Sequence, residues 1–327
     1  MSASVSAPVN GTDFELRTDP FRRELLAHCY RMLGSVTDAE DLVQETYLRA
    51  WRSYGGFEGR SSIRTWLYRI ATNACLRALE QRHRRPLPSG LGAPSNDPGA
   101  PVVGGSEVPW LQPIPDVLFA ADPVDPAAAA ASRSHLRLAL VAALQLLPAR
   151  QRAVLILRDV LAWRAAEAAE LLDMTVAAVN SALQRARAQL ATVAPVADLL
   201  AEPADVGQRA ALDRYVHAFE NGDVGALTRL LRSDAILEMP PHRTWFQGRE
   251  TIGRFLAPRI APPGDMRLVP VGANGGQPAA GLYQREADGR FRPHAIHLLT
   301  VAGSDIVRIS AFLDPGPFAS FGLPPTL

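Results

Sequence analysis

The 327-residue sequence contains no lysine, and all 34 of its basic residues apart from histidine are arginines. Its cationic contacts are therefore made by planar, forked guanidinium groups, which suit carboxylates and phosphates. Cysteine is nearly absent. Cys29 and Cys75 are the only two, which excludes a disulfide scaffold or a zinc cluster built on cysteine pairs. Both read as small buried apolar residues. No stretch approaches the roughly 20 uninterrupted apolar residues that a membrane helix needs. Met1 to Asp19 lacks the hydrophobic core of a signal peptide, so a cytoplasmic location is expected. The chain is 47% apolar and 20% charged, enough to build cores, and its length suits about two domains of roughly 100–200 residues each.

The net charge of +1 hides a pattern. Residues 1–85 carry 13 Arg against 10 acids, and 127–195 carry 8 Arg against 4 acids. Between them, residues 86–126 have no Arg, 5 acids and 10 prolines. That composition excludes helix and sheet and predicts an extended linker. A plain solvated spacer would not carry Trp110 and Phe119, so one part of this segment is marked as something more. A short acidic, proline-containing hinge covers 196–208.

In the first basic block, Thr37-Asp-Ala-Glu40 reads as a capping box opening a helix to about Ser53. Ala39, Leu42, Val43, Thr46, Tyr47 and Ala50 share one face at helical spacing and are expected in the core. Asp41, Gln44, Glu45, Leu48 and Arg52 lie opposite. Charges alone would read as a solvated face, but a leucine among acids points to docking of a partner helix. A glycine-rich loop, Gly55 to Ser62, precedes a second helix, Ile63 to Arg82. Ile63, Trp66, Leu67, Ile70 and Ala74 form its core stripe, while Arg64, Thr65, Tyr68, Arg69 and Thr72 point elsewhere. Arginine with aromatics on one surface is the combination that binds single-stranded nucleic acid.

In the second basic block, Pro148 is placed to begin a helix. A helix over 165–172, a turn at Asp173-Met174, and a helix capped by Thr175 and reaching about Leu190 make a helix-turn-helix pattern. Val176, Val179, Leu183, Ala186 and Leu190 cluster on the core side. Ala177, Ala178, Ser181, Gln184 and Arg185 face away, small enough for close approach to a groove and polar enough to read bases and phosphates.

The two blocks together resemble bacterial sigma factors of the extracytoplasmic-function type, of the sigma-70 family. The resemblance rests on residues 38–51 (DAEDLVQETYLRAW), Phe57 with residues 65–75 (TWLYRIATNAC), residues 147–152 (LPARQR) and residues 179–187 (VNSALQRAR). It implies region 2 over 20–85, a linker over 86–131 and a region 4 helix-turn-helix over 132–195. It further implies that Asp41, Gln44, Glu45 and Leu48 dock on RNA polymerase core. Arg60, Arg64, Thr65, Trp66, Tyr68, Arg69, Thr72 and Asn73 would read the −10 element. Ser181, Gln184, Arg185 and Arg187 would read the −35 element, and the acidic linker would thread polymerase channels. Arg164 stands where many relatives have a Ser or Thr cap, and Ala182 where many have Arg.

Residues 209–327 exceed these two regions. Two helices, over about 212–221 and 224–231, precede a strand at 235–239. A helix over 248–256 and strand patterns near 266–272, 279–286, 294–302 and 305–313 follow. Helices followed by a curved antiparallel sheet indicate an α+β cone. The run Trp245-Phe-Gln-Gly-Arg-Glu-Thr-Ile252 leading into the third helix resembles SnoaL-like domains. The expected fold is thus multidomain: two all-α helical domains plus a C-terminal α+β SnoaL-like cone. His217, Glu238, His242, His294 and His297 are the polar candidates for its cavity. Acid–base catalysis would ask for a pair of carboxylates, and Glu238 alone is expected to point inward. His294 and His297 differ by an odd number and are expected on opposite faces of a strand.

The combined expectation is a sigma factor modulated in cis by its C-terminal domain, not an enzyme, with no metal and no cofactor. Its partners would be polymerase core and promoter DNA, with an anti-sigma factor or a small-molecule ligand of the cone as further candidates, and no membrane. The alternative is a helix-turn-helix regulator or a SnoaL-like enzyme with a DNA-binding appendage. Neither would have a use for the Asp41, Gln44 and Glu45 face.

Overall fold

The computed structural model describes residues 11–59, 61–80, 84–119, 135–192 and 207–327. The chain divides into two units, one formed by 1–84 and 121–201, the other by 85–120 and 202–327. Among the described residues no helix is long and apolar enough to cross a membrane.

The first unit is helical: α1 Gly11–Thr18, α2 Arg22–Leu33, α3 Val36–Ser53, α4 Ile63–Glu80, α5 Leu138–Leu144, α6 Ala149–Leu155, α7 Ala165–Leu172 and α8 Val176–Ala191. A π-helical turn, Ile156–Val160, continues α6. α2 stops at Gly34, whose φ of 69° needs a residue without Cβ. The cap of α3 is Ser35, accepting from the Asp38 N–H, and not Thr37 as expected. Val36 is buried in the first turn, so burial starts the helix earlier than the capping-box pattern does. Between α7 and α8 the chain turns through Asp173 at φ 54°, and the Thr175 hydroxyl caps α8.

Both basic blocks share this unit, and a buried arginine ties them. Arg152 of α6 donates to the Met32 carbonyl at the end of α2, to Gln145 Oε1 (2.8 Å) and to the carbonyls of Gln145 and Leu147. A cation at a helix C-terminus meets the negative end of the macrodipole. Burial nevertheless lowers its pKa to about 10.

The second unit contains α9 Gln208–Glu220, α10 Val224–Leu230, β1 Leu231–Glu238, β2 Trp245–Gln247, α11 Arg249–Leu256, β3 Met266–Ala273, β4 Gln277–Arg285, β5 Phe291–Ala302 and β6 Asp305–Phe312. The sheet order is β2-β1-β6-β5-β4-β3. It is not wholly antiparallel as expected, because β1 and β6 pair in parallel. Leu212, Tyr215, Phe219, Leu227, Ile252 and Phe255 of the helices pack on Leu237, Leu268, Leu282, Leu299 and Ile309 of one sheet face.

The proline-rich segment belongs to this unit. Residues 85–119, expected as an extended spacer, form a strap against the cone. Its apolar residues Leu111, Ile114 and Phe119 are completely buried. The Asp116 carboxylate accepts from the Gly275 and Gly276 N–H groups (2.7 and 2.8 Å). Ile114 and Asn274 exchange two hydrogen bonds, and Trp245 Nε1 donates to the Gly92 carbonyl. Trp110 Nε1 donates to the Gly105 carbonyl, and a Cβ at Gly105 would sit 2.8 Å from the Trp110 ring. Proline removes regular structure without preventing docking, because a strap can satisfy its remaining polar groups on another element.

Candidate functional site

On α3, Asp41, Gln44 and Leu48 are exposed and Glu45 is half-buried beside Arg49. Leu48 is 58% and Trp51 is 40% exposed, large values for apolar side chains. α1, which sequence reading missed, borders this face. Phe14 of α1 meets Trp51 and Tyr54 edge-on at 5.2 and 5.1 Å, and Tyr47 donates to the Thr18 carbonyl. The missed signal was the i, i+4 pair Phe14 and Thr18, both buried. Trp51 also went unremarked as a surface residue.

On α4 the expected nucleic-acid face is divided. Arg69 is exposed, and Thr65, Trp66 and Asn73 are half-buried. Trp66 leans on Phe57 at 4.9 Å, and the Thr65 hydroxyl bonds Ser62. Tyr68 and Thr72, expected outward, are completely buried. Thr72 Oγ1 meets His28 Nε2 at 2.9 Å, and the Tyr68 ring lies between His28 and Trp163, at 5.1 and 5.2 Å. Burial pushes the Tyr68 hydroxyl pKa well up and lowers that of His28 to about 3. Arg64 is held by Glu24 through 2.9 Å hydrogen bonds, with its guanidinium over the rings of Tyr68 and Trp163. The covering elements are α2 and the segment before α7, neither of which α4's own periodicity can foresee. Arg60 lies outside the described residues.

On α8 the expected face is open. Ser181, Gln184, Arg185 and Arg187 are all exposed, and Arg185 donates to the Ser181 hydroxyl at 2.6 Å. Arg187 is engaged with Asp159 in a two-pronged pair of 2.9 and 2.6 Å. Val179, Leu183, Ala186 and Leu190 are buried as expected, with Ala182, while Val176 is exposed instead. Arg164 supplies no hydroxyl cap to α7. Its N–H is satisfied by Glu167, which also pairs with its guanidinium at 2.8 Å.

In the cone, a cavity of about 220 Å³ opens between the helices and the sheet. His242, His294 and His297 line it, but Glu238 and His217 do not. Strand alternation turns Leu237 and Met239 to the cavity and Glu238 to the other face. There Glu238 is completely buried, bound by Arg308, Ser310 and Ser89 of the strap at 2.8, 2.9 and 2.8 Å. His294 and His297 both line the cavity, against expectation. Leu282 pairs Ala295 and Tyr283 pairs Pro293, leaving His294 as a bulge that resets the alternation. His217 is exposed on α9. No group of side chains able to hold a metal occurs among the described residues.

Comparison with known proteins agrees with this division. Sigma-70 region 2 matches residues 19–85, Sigma-70 region 4 matches 137–190, and a SnoaL-like domain matches 212–309. The ECF RNA polymerase sigma factor SigG of Mycobacterium tuberculosis H37Rv is 53% identical over 318 residues, covering 96% of this chain and 85% of that protein. SigJ of the same strain is 30% identical over 217 residues, covering 66% of this chain and 61% of that protein. The crystal structure of SigJ superposes with a TM-score of 0.60 at 25% identity, over 96% of this chain and all of that one. With these likenesses and two arginine-bearing helical blocks in the order of regions 2 and 4, the chain belongs to the extracytoplasmic-function RNA polymerase sigma factors of the sigma-70 family and serves as a sigma factor.

Proposed function

We propose that Asp41, Gln44, Glu45 and Leu48 dock this sigma factor on RNA polymerase core in the cytoplasm, with Trp51 extending the contact. Arg64, Thr65, Trp66, Arg69 and Asn73 of α4, together with Arg60, engage the −10 element. Tyr68 joins them only when Trp163 moves off α4, and Thr72 only if its contact with His28 of α2 also opens. Ser181, Gln184, Arg185 and Arg187 of α8 read the −35 element. In this reading region 2 spans 20–85 and region 4 spans 132–195, joined by the 86–131 linker, and the cone spans 209–327. An anti-sigma factor would compete for the polymerase-docking and promoter-reading surfaces.

The observation that carries this reading is that one helical unit presents an acidic face with an exposed leucine on α3 and an unburied polar face on α8. The cone acts in cis and not as an enzyme. Its cavity wall has no carboxylate among the described residues, while the strap joining the two regions is bound to it. A cone that holds the linker limits how far regions 2 and 4 can separate.

Transcription in vitro with purified core polymerase tests both parts. Full-length protein is expected to direct promoter-dependent initiation, and Asp41→Arg with Glu45→Arg to abolish it. Asp116→Ala removes the acceptor of two strap hydrogen bonds and is expected to change the rate of open-complex formation, as is truncation to residues 1–195. Rates identical to the full-length protein in both would contradict the cis role while leaving the sigma assignment intact.

A further inference from the structure

The first half of α8 carries no charge. From Val176 to Gln184 there is neither an acid nor an arginine, and both arginines of the helix, Arg185 and Arg187, come after it. Helix-turn-helix domains present the N-terminal residues of the second helix to base edges, so here base edges meet neutral side chains. Asn180, Ser181 and Gln184 are exposed. No hydrogen bond among the described residues engages the side-chain amide of Asn180 or Gln184. Val176 is 45% exposed although it is apolar.

Angular position separates the arginines from the neutral front. At 3.6 residues per turn, Ala177, Ser181, Gln184 and Ala188 run along the line opposite the buried stripe of Val179, Ala182, Leu183, Ala186 and Leu190. Arg185 and Arg187 fall on opposite sides of that line. A helix about 10–12 Å across fills a major groove about 12 Å wide. Its flanks therefore face the two phosphate walls, and its front faces the bases. Both arginines are also committed within the unit. Arg187 is paired with Asp159 at 2.9 and 2.6 Å, and Arg185 donates to the Ser181 hydroxyl at 2.6 Å. That donation leaves the serine proton to point outward. A two-pronged grip on guanine by Arg187 would first have to break the Asp159 pair.

We propose that α8 specifies A·T pairs in the −35 element: Asn180 and Gln184 each hold an adenine, Val176 packs on a thymine methyl group, and Arg185 and Arg187 hold phosphates. A side-chain amide matches adenine, its oxygen accepting from N6 and its nitrogen donating to N7, as arginine matches guanine. Val176, Asn180 and Gln184 follow at i, i+4 and i+8, one side chain per turn. A turn rises about 5.4 Å against about 3.4 Å per base pair, so each meets a different pair. Phosphate contacts set register and affinity, and base contacts set the sequence. The proposal rests on α8 being the helix that reads the −35 element and adds which bases it reads.

The test uses holoenzyme, the full-length protein with core polymerase, and a duplex library randomised upstream of a transcribed segment. Sequencing the bound templates gives the enriched −35 element. Asn180→Ala and Gln184→Ala are each expected to erase an adenine preference at one position, with binding of the A·T form falling about ten-fold. Gln184→Glu is expected to exchange its adenine for cytosine, whose amino group a carboxylate accepts. Val176→Ala relaxes a thymine preference by a smaller factor. Arg185→Ala leaves the enriched sequence unchanged, weakens all templates alike and reduces the salt slope by about 1. All four positions are exposed, so the fold should survive every substitution. An adenine preference left intact by either amide variant, or a guanine preference relaxed by Arg185→Ala, would overturn the proposal while leaving α8 as the −35 helix. Variants that all bind and select as the unmodified protein does, Arg185→Ala included, would overturn that reading as well.

Discussion

The two helices expected to read DNA differ in what the fold does with them. α8 buries an aliphatic stripe and leaves Ser181, Gln184 and Arg185 in solvent. α4 buries two of its expected reading residues, Tyr68 and Thr72, and ties a third, Arg64, to Glu24 under Trp163. Similar sequence logic thus produces an open helix and a covered one. Trp163 comes from the other basic block, while His28 and Glu24 come from α2 of the same block, so the difference is a property of what packs on α4 and not of its own periodicity. On the proposed assignment, the helix reading the −35 element is open as folded, whereas the one reading the −10 element is covered at Tyr68 and Thr72.

The comparison can be broken most severely at the tie between the blocks. Arg152→Ala strands the Met32, Gln145 and Leu147 carbonyls and is expected to cost about 3 kcal/mol or more, since hydrogen bonds to a charged group contribute about 1.5–3 kcal/mol each. Thermal unfolding should show a large drop in the midpoint of the helical unit, and α4 should gain accessibility. Asp41→Arg with Glu45→Arg leaves the α3 core stripe alone, so the fold should survive. Its core affinity should fall by about two to three orders of magnitude, several kcal/mol being typical of like charges across an interface, as a pull-down would register.

Arg185→Ala sharpens the comparison from the open side. If Arg185 holds a base edge, promoter binding should weaken by about 1–3 kcal/mol and preference at one −35 position should relax. A phosphate contact would instead weaken all promoters and reduce the salt slope. Acid separates the two helices by another route. The folded-state pKa of His28 is lowered to about 3, so below pH 6.5 the unfolded chain takes up a proton that the folded chain does not. Stability from this group is complete above pH 6.5 and declines as pH falls toward 3, with a slope of up to about 1.4 kcal/mol per pH unit. His28→Asn should flatten that slope in urea titrations. The smallest effect belongs to Arg187 and Asp159. Asp159→Asn breaks a partly exposed pair worth about 0–1 kcal/mol, and it should raise promoter affinity slightly by releasing Arg187.

Sequence periodicity located α3, α4, α8 and nearly all of the cone elements, because each has one buried stripe whose spacing survives in the chain. It failed where a second element decides the outcome. Tyr68 and Thr72 face away from α4's own stripe, yet His28 and Trp163 bury them. Ser35 and Thr37 both offer caps, and the burial of Val36 chooses between them. Alternation put His294 and His297 on opposite faces, but the bulge at His294 is a register feature with no mark in the residues. The parallel pairing of β1 with β6 is equally invisible to a period of two. The strap was half legible: ten prolines excluded regular structure, and Trp110 with Phe119 marked a segment that solvent alone would not retain. The surface on which it docks is non-local information.

The most direct test of the covered-helix account is the separation of α4 from α8 before and after assembly. Spin labels at Arg69→Cys and Ala188→Cys, both exposed positions, report it by pulsed electron paramagnetic resonance, and the native Cys29 and Cys75 are buried. The account predicts one narrow distance distribution in the unbound protein and a longer one with core polymerase and promoter DNA. The same distribution in both states would contradict it.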